Sequence, residues 1–234
     1  MRTTFQAAAG TDTGHRYHAN FDVVHLDPSP LLAVVADGMG DGPGSAAAGR
    51  TAVDLVARAE RSADGLAAAV AAAQREVGEH GRQLGGLAGC TLTALVETPD
   101  GTWLAHLGDS RAYRLRRGLL ELLTVDHTMA WLGAVHGWYP FDSPQAAAAR
   151  YQLTRYVGHP ARPEPDLLRL TTAPGDVYLL CTDGIAEQVP YQAIHETLSR
   201  QVPPGDKVRA LLAAADAAGG NDNSTAIVVH ALHG

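Results

Sequence analysis

The chain reads as an α+β fold, on three observations. Strand-length apolar runs come in hairpin-like pairs, helical stretches also come in pairs, and the two kinds do not alternate strictly as a parallel sheet would require. With 46% apolar residues among 234, the chain can bury one sizeable core, and no stretch between the blocks reads as a linker. A single domain over residues 1–234 is therefore expected.

The elements follow in order. Thr3–Ala9, Phe21–Leu26 and Leu31–Ala36 read as the opening strands. From Gly44 to Arg61 the period becomes helical, with Val53, Leu55 and Val56 in the buried stripe and alanine, the best helix former, filling the rest. A second alanine-rich helix covers Leu66–Leu84 and breaks at Gly85–Gly89. Cys90–Glu97, Thr102–Leu107 and Ala112–Arg116 read as successive strands, the first two joined by the turn Pro99-Asp100-Gly101. Residues 126–151 mix tryptophan, glycine and proline without a period, which predicts an irregular flap. Strands at Leu167–Leu170 and Val177–Cys181, helices at Tyr191–Gln201 and Gly205–Ala217, and a strand at Thr225–Ala231 complete the chain.

Composition excludes several classes of partner. A net charge of −7 argues against a nucleic-acid or anionic-membrane surface, since both need a basic face. Apolar stretches are strand-sized, too short to span a bilayer, and Met1–Gln6 lacks the apolar segment of a secretory leader. Cys90 and Cys181 each sit inside an apolar run and read as core residues in a reducing compartment. The cytoplasm is the expected location.

The chemistry lies in the carboxylates. Three apolar runs end on an aspartate beside a glycine: Leu31–Gly38 with Asp37, Trp103–Asp109 with Gly108, and Val177–Gly184 with Asp183. A fourth, Asp222, stands in Gly219–Thr225 just before the last apolar run. A carboxylate at the mouth of a buried strand is costly to desolvate unless a positive charge meets it. Several converging would repel one another and raise each other's pKa. Oxygen ligands without a cysteine or histidine cluster point to a hard divalent cation, Mg2+ or Mn2+.

Taken singly, an Asp-Gly pair is most often a hairpin turn. Asp37-Gly38 leads instead into a glycine-rich stretch and a helix, and Asp183-Gly184 into Ile185–Gln188 and a helix; Gly108-Asp109-Ser110 fits a tight turn as well as a ligand. Gly38–Gly44 offers no G-x-G-x-x-G register. Gly44–Thr51 misses G-x-x-x-x-G-K-[ST] by carrying Arg50, with an interior that favours helix. A nucleotide-binding protein is thus a distant reading.

These residues together resemble the metal-dependent type-2C serine/threonine protein phosphatases, in their compact bacterial form. Thr11–Gly14 through Asn20-Phe21-Asp22 is similar to the opening segment of that family, and Asp37-Gly38-Met39-Gly40 to its D-G-M-G. Gly89–Thr93, Gly108–Tyr113, Leu123–His127, Cys181–Gly184 and Asp222–Thr225 stand in order for G-[TC]-T, G-D-S-R-x-Y, L-T-x-D-H, [CS]-[ST]-D-G and D-N-x-T. The resemblance implies a four-layer α-β-β-α sandwich, two mostly antiparallel sheets flanked by helix pairs, with metals at one edge between the sheets. It also implies hydrolysis of phosphoserine and phosphothreonine in proteins at two Mg2+ or Mn2+ ions, with Asp37, Asp183 and Asp222 as the catalytic carboxylates. Asp37 would bridge the ions, the Gly38 carbonyl would add a ligand, and Asp183 and Asp222 would complete one shell. Asp109 would hold a weaker third ion, and Asp22 and Asn223 would stand behind the ligands.

Phosphoprotein substrates made by a serine/threonine kinase are the implied partners, and a monomer is expected. The departures concern phosphate and metal. The family's phosphate-binding arginine falls on Tyr17, with Arg16 one place earlier, so either a local bulge brings Arg16 back to the phosphate, or Tyr17 or His18 holds it, or this step is weakened. Phe21 replaces a glutamate or glutamine, and Met39 stands where animal members carry histidine. His127 is read as a tether for the flap. The competing reading is a catalytically impaired relative that binds a phosphoprotein without turnover, which retention of four carboxylates disfavours.

Overall fold

The computed structural model describes residues 3–86 and 88–234. One sheet has the order β1 (Thr3–Asp12), β10 (Ser224–His233), β9 (Val177–Cys181), β6 (Arg111–Arg116), β7 (Leu119–Leu122). The other runs β2 (Val23–Pro28), β3 (Leu31–Ala36), β4 (Leu92–Thr98), β5 (Gly101–Leu107), β8 (Asp166–Leu170). Every neighbouring pair is antiparallel. Helices α1 (Pro43–Ala57) and α2 (Ala63–Leu84) cover the second sheet. On the first lie the single turn α5 (Asp183–Ala186), α6 (Tyr191–Ser199) and α7 (Pro204–Ala217).

Strand β3 shows how the sequence builds four layers. Its six residues are all apolar and fully buried. The period of two sends Leu32, Val34 and Ala36 toward α1 and α2. Leu31, Ala33 and Val35 go instead toward Leu180, Ile227 and Val229 of the facing sheet. A strand covered on both faces needs no polar face, so an unbroken apolar run becomes a strand at the centre of a sandwich. The expected α-β-β-α layering is present.

Local signals set the boundaries. Ser62 caps α2 by accepting the Gly65 N–H at 3.0 Å. Gly85, at φ +63, closes it, with Gly86 N–H donating to the Gly81 carbonyl. Helix α1 stops at Ala57, before the expected Arg61, and β4 starts at Leu92 because Cys90 makes only isolated bridges to Gly38 and Val157.

Two elements differ from expectation. Strand β7 was not foreseen. Arg117 and Gly118, at φ +52 and +80, form the two-residue loop that pairs Arg116 with Leu119. An arginine at the first such position hides the turn signal, and only Leu120 of the four strand residues is buried. The flap holds two short helices, α3 (Met129–Val135) and α4 (Pro144–Ala149). Thr128 caps α3 through the Trp131 N–H, and Ser143 caps α4 through the Ala146 N–H with Pro144 in the first turn. Seven and six residues are too few to display a period. Among the described residues no helix is long and apolar enough to cross a membrane.

Candidate metal centre

Four strand ends meet at one edge of the sandwich, around a cavity of about 220 Å3 lined by Asp37, Gly38, Asp109, Asp183 and Asp222. Asp37 follows β3, Asp109 follows β5, Asp183 opens α5 after β9, and Asp222 precedes β10. Residues far apart in the chain are adjacent here because antiparallel strands from both sheets end on the same side.

The backbone around each aspartate is locked. Asp37 N–H donates to Thr91 Oγ1 at 2.9 Å, and Thr91 N–H returns a bond to the Asp37 carbonyl at 2.8 Å. Thr91 Oγ1 also lies 2.7 Å from Ser110 Oγ, which ties the Asp37 loop to the Asp109 loop. Gly38 is obligatory: a Cβ there would lie 2.6 Å from the Ser45 carbonyl oxygen. At Gly184 a Cβ would stand 2.0 Å from the Asn223 carbonyl oxygen, so only glycine lets Asp183 and Asp222 approach.

Asp22 and Asn223 hold the site from behind. Thr182 and Thr225 hydroxyls donate to Asp22 Oδ2 at 2.8 and 2.7 Å. Asn223 accepts the Phe21 N–H at 2.7 Å and donates to the carbonyls of Thr13 and Ala19, stitching the 13–21 loop to the cavity rim. Arg16 and Tyr17 lie on that loop. Tyr17 lines the carboxylate cavity, while Arg16 lines an adjoining one with Asp183, Glu187 and Asp222. The Arg16 guanidinium sits 5.0 Å from the Tyr17 ring centroid.

The electrostatics are those of a site awaiting positive charge. Burial, then Asp183, Asp22 and Asp109, hold the Asp37 carboxyl well above the usual carboxylate range. Burial, then Asp109 and Asp222, do the same to Asp183. Burial, then Asp126 and Glu187, push Asp109 up to about 7. Burial raises Asp22 to about 6 against the two threonine bonds. Asp222 is raised by burial, while the Asn223 N–H and Arg16 pull it down.

Two buried oxygens, Asp183 Oδ1 and Asp22 Oδ1, have no hydrogen-bond partner among the described residues. An unpaired buried carboxylate oxygen is costly unless a cation or its water meets it. The donor set therefore fits a hard divalent ion. Among the described residues no three His, Cys, Asp or Glu side chains form a ready-made cage.

Sequence reasoning missed the supporting hydroxyls of Thr91, Thr182 and Thr225; the available signal was the place of Thr182 one residue before Asp183 and of Thr225 three residues after Asp222. It also missed Tyr151 and Leu153, which line the cavity from the segment following α4. His127 is the expected tether. Its Nδ1 accepts the Gly108 N–H at 3.0 Å, Nε2 donates to Asp166 at 3.0 Å, and its carbonyl accepts the Thr154 N–H. It thereby fastens the flap's end to the Asp109 loop.

Residues 18–218 match the sequence profile of the family described as Protein phosphatase 2C. The chain is 28% identical to the Serine/threonine phosphatase stp of Listeria monocytogenes serotype 4b, over 94% of this chain and 93% of that one. It is 34% identical to the Serine/threonine protein phosphatase PstP of Mycobacterium tuberculosis, over 94% of its own length but only 44% of that protein. The catalytic domain of a PstP, solved in complex with two manganese ions, superposes with a TM-score of 0.86 at 30% identity, covering 99% of this chain and all of that one. The chain belongs to the protein phosphatase 2C family of metal-dependent serine/threonine phosphatases.

Proposed function

We propose that this chain, acting as one catalytic domain, hydrolyses phosphoserine and phosphothreonine in proteins at a centre of two Mg2+ or Mn2+ ions. The convergence of Asp37, Asp109, Asp183 and Asp222 on one cavity, with Asp183 Oδ1 left unpaired, carries this reading. Asp37, the Gly38 carbonyl, Asp183 and Asp222 would hold the two ions, and Asp109 would hold a weaker third. When bound, such ions would lower the pKa of a water and neutralise the phosphoryl charge that otherwise repels its attack on phosphorus.

The remaining work belongs to the chain itself. Thr182 and Thr225 fix Asp22 through Oδ2, which leaves Oδ1 free to accept from a water on an ion. Asn223 holds the 13–21 loop at the rim. Arg16, whose charge reaches Asp222, is the cation placed to meet a substrate phosphate, and Tyr17 backs its guanidinium. Substrates are the phosphoproteins made by a serine/threonine kinase. A cytoplasmic setting is supported by two free, buried thiols, Cys90 and Cys181. The chain acts as a monomer, which light scattering would test.

The deciding experiment is phosphate release from a phosphothreonine peptide in Mn2+, in chelator, and by Asp183→Asn in Mn2+. Turnover is expected in the first condition alone. Undiminished turnover in chelator or in the variant refutes the proposed centre. Wild-type protein that binds Mn2+ without turnover refutes the enzyme.

A further inference from the structure

The lining of the carboxylate cavity also includes side chains that metal binding does not use: Tyr17, Phe21, Met39, Tyr151 and Leu153. Tyr17 and Phe21 meet edge to face, with centroids 6.0 Å apart and planes at 86°. The Arg16 guanidinium packs on the same Tyr17 ring. Tyr151 is 72% exposed. A site for alkyl phosphates alone has no use for so much aromatic surface beside its charges. A cavity of about 220 Å3 admits one side chain rather than a larger ligand.

A second observation is chemical. The described residues lining the cavity include no histidine, lysine, arginine or cysteine that could protonate a departing oxygen. A serine or threonine alkoxide is a poor leaving group without a proton, whereas a phenolate, whose conjugate acid has a pKa of about 10, departs far more readily. Both the aromatic lining and the easier departure of a phenolate suit an aryl phosphate.

We propose that the same site also hydrolyses phosphotyrosine, with the Tyr17–Phe21 pair receiving the substrate ring. This rests on the phosphatase reading above. Water oxygen bonds to phosphorus as the bond from phosphorus to the ring oxygen breaks. Its electron pair stays on the phenolic oxygen, which takes up the proton the water gives up. The products are tyrosine and inorganic phosphate, and no oxidant or reductant is needed.

The test uses the full chain in Mn2+ and two peptides identical except for phosphothreonine or phosphotyrosine. Phosphate release gives kcat/KM for each, in wild type, Tyr17→Phe, Tyr17→Leu and Phe21→Leu. Wild type is expected to cleave the phosphotyrosine peptide within about tenfold of the phosphothreonine one. Both leucine variants should lower the phosphotyrosine-to-phosphothreonine ratio by about two- to tenfold, the range for losing one aromatic pair. Tyr17→Phe keeps the ring and should keep the ratio. A phosphotyrosine rate more than about a hundredfold below the phosphothreonine rate overturns the inference and leaves the parent activity standing. A ratio unchanged in both leucine variants removes the aromatic lining from recognition and overturns it too. Failure on both peptides overturns the phosphatase reading itself.

Discussion

Replacing Asp109 by asparagine should stabilise the metal-free chain, and more at pH 8 than at pH 5. Burial, then Asp126 and Glu187, push its carboxyl to about 7 from an ordinary 3.8. The native state therefore binds more protons at this group than the unfolded chain does between those two values. Stability falls as the pH rises through that window, and the loss is complete above about pH 7. At about 1.36 kcal/mol per pH unit, the full cost is roughly 4 kcal/mol, of which roughly 1.5 is already present at pH 5. Asparagine has no charge to desolvate, so it removes both. The extra gain at pH 8, roughly 3 kcal/mol, corresponds to about 6–12 °C in Tm for a chain of this size. Thermal melts followed by circular dichroism, in chelator, at the two pH values, measure it. A variant that gains equally at both, or that is no more stable than wild type at pH 8, would refute the view that carboxylate desolvation is what a cation offsets here. Saturating Mn2+ should then raise the Tm of wild type more than that of the variant.

Three further outcomes are expected. Gly184→Ala places a Cβ 2.0 Å from the Asn223 carbonyl oxygen. It should separate Asp183 from Asp222, weaken Mn2+ binding in calorimetry by at least about tenfold and abolish most turnover; wild-type Mn2+ affinity would contradict this. Arg116→Ala strips Asp176, 1% exposed, of two guanidinium bonds at 2.7 and 2.6 Å. A loss of about 3 kcal/mol is expected, a Tm drop of about 6–12 °C, with turnover at 20 °C unchanged; a Tm within about 2 °C of wild type would show the pair to be dispensable.

Lys207 is 2% exposed, donates to the Leu198 carbonyl at 2.5 Å, and is pushed down to about 8 by burial. Because the native state holds fewer protons there than the unfolded one, this group contributes stability that rises between about pH 8 and 10. Lys207→Met should lack that rise while matching or exceeding wild type at pH 7. Identical Tm-versus-pH curves for the two would exclude the effect.

The unbroken apolar run of Leu31–Ala36, the alanine helices and the glycine breaks were legible because each is a local preference that tertiary packing reinforced. Strand β7 and the flap helices were not, because four to seven residues carry too little periodicity and the Arg117-Gly118 turn uses an atypical residue. At the site, Asp37, Asp109, Asp183 and Asp222 were legible as charges ending apolar runs, an arrangement costly in any fold without a cation. Thr91, Thr182 and Thr225 were not, since a hydroxyl in a strand reads as ordinary until its partner is placed.

By itself the sequence determined most element types, the apolar run of β3 and the hard-oxygen character of the centre, all of which depend on neighbours within a few residues. Only the tertiary structure decided that Arg16 and Tyr17 open onto adjoining cavities, that Tyr17 and Phe21 line one cavity with the aspartates, and which two carboxylate oxygens stay unpaired. Those outcomes depend on distances between strand ends contributed by both sheets. Such distances are set by register and layer packing across more than two hundred residues of chain, from Asp12 paired with Ser224 to Thr3 paired with His233.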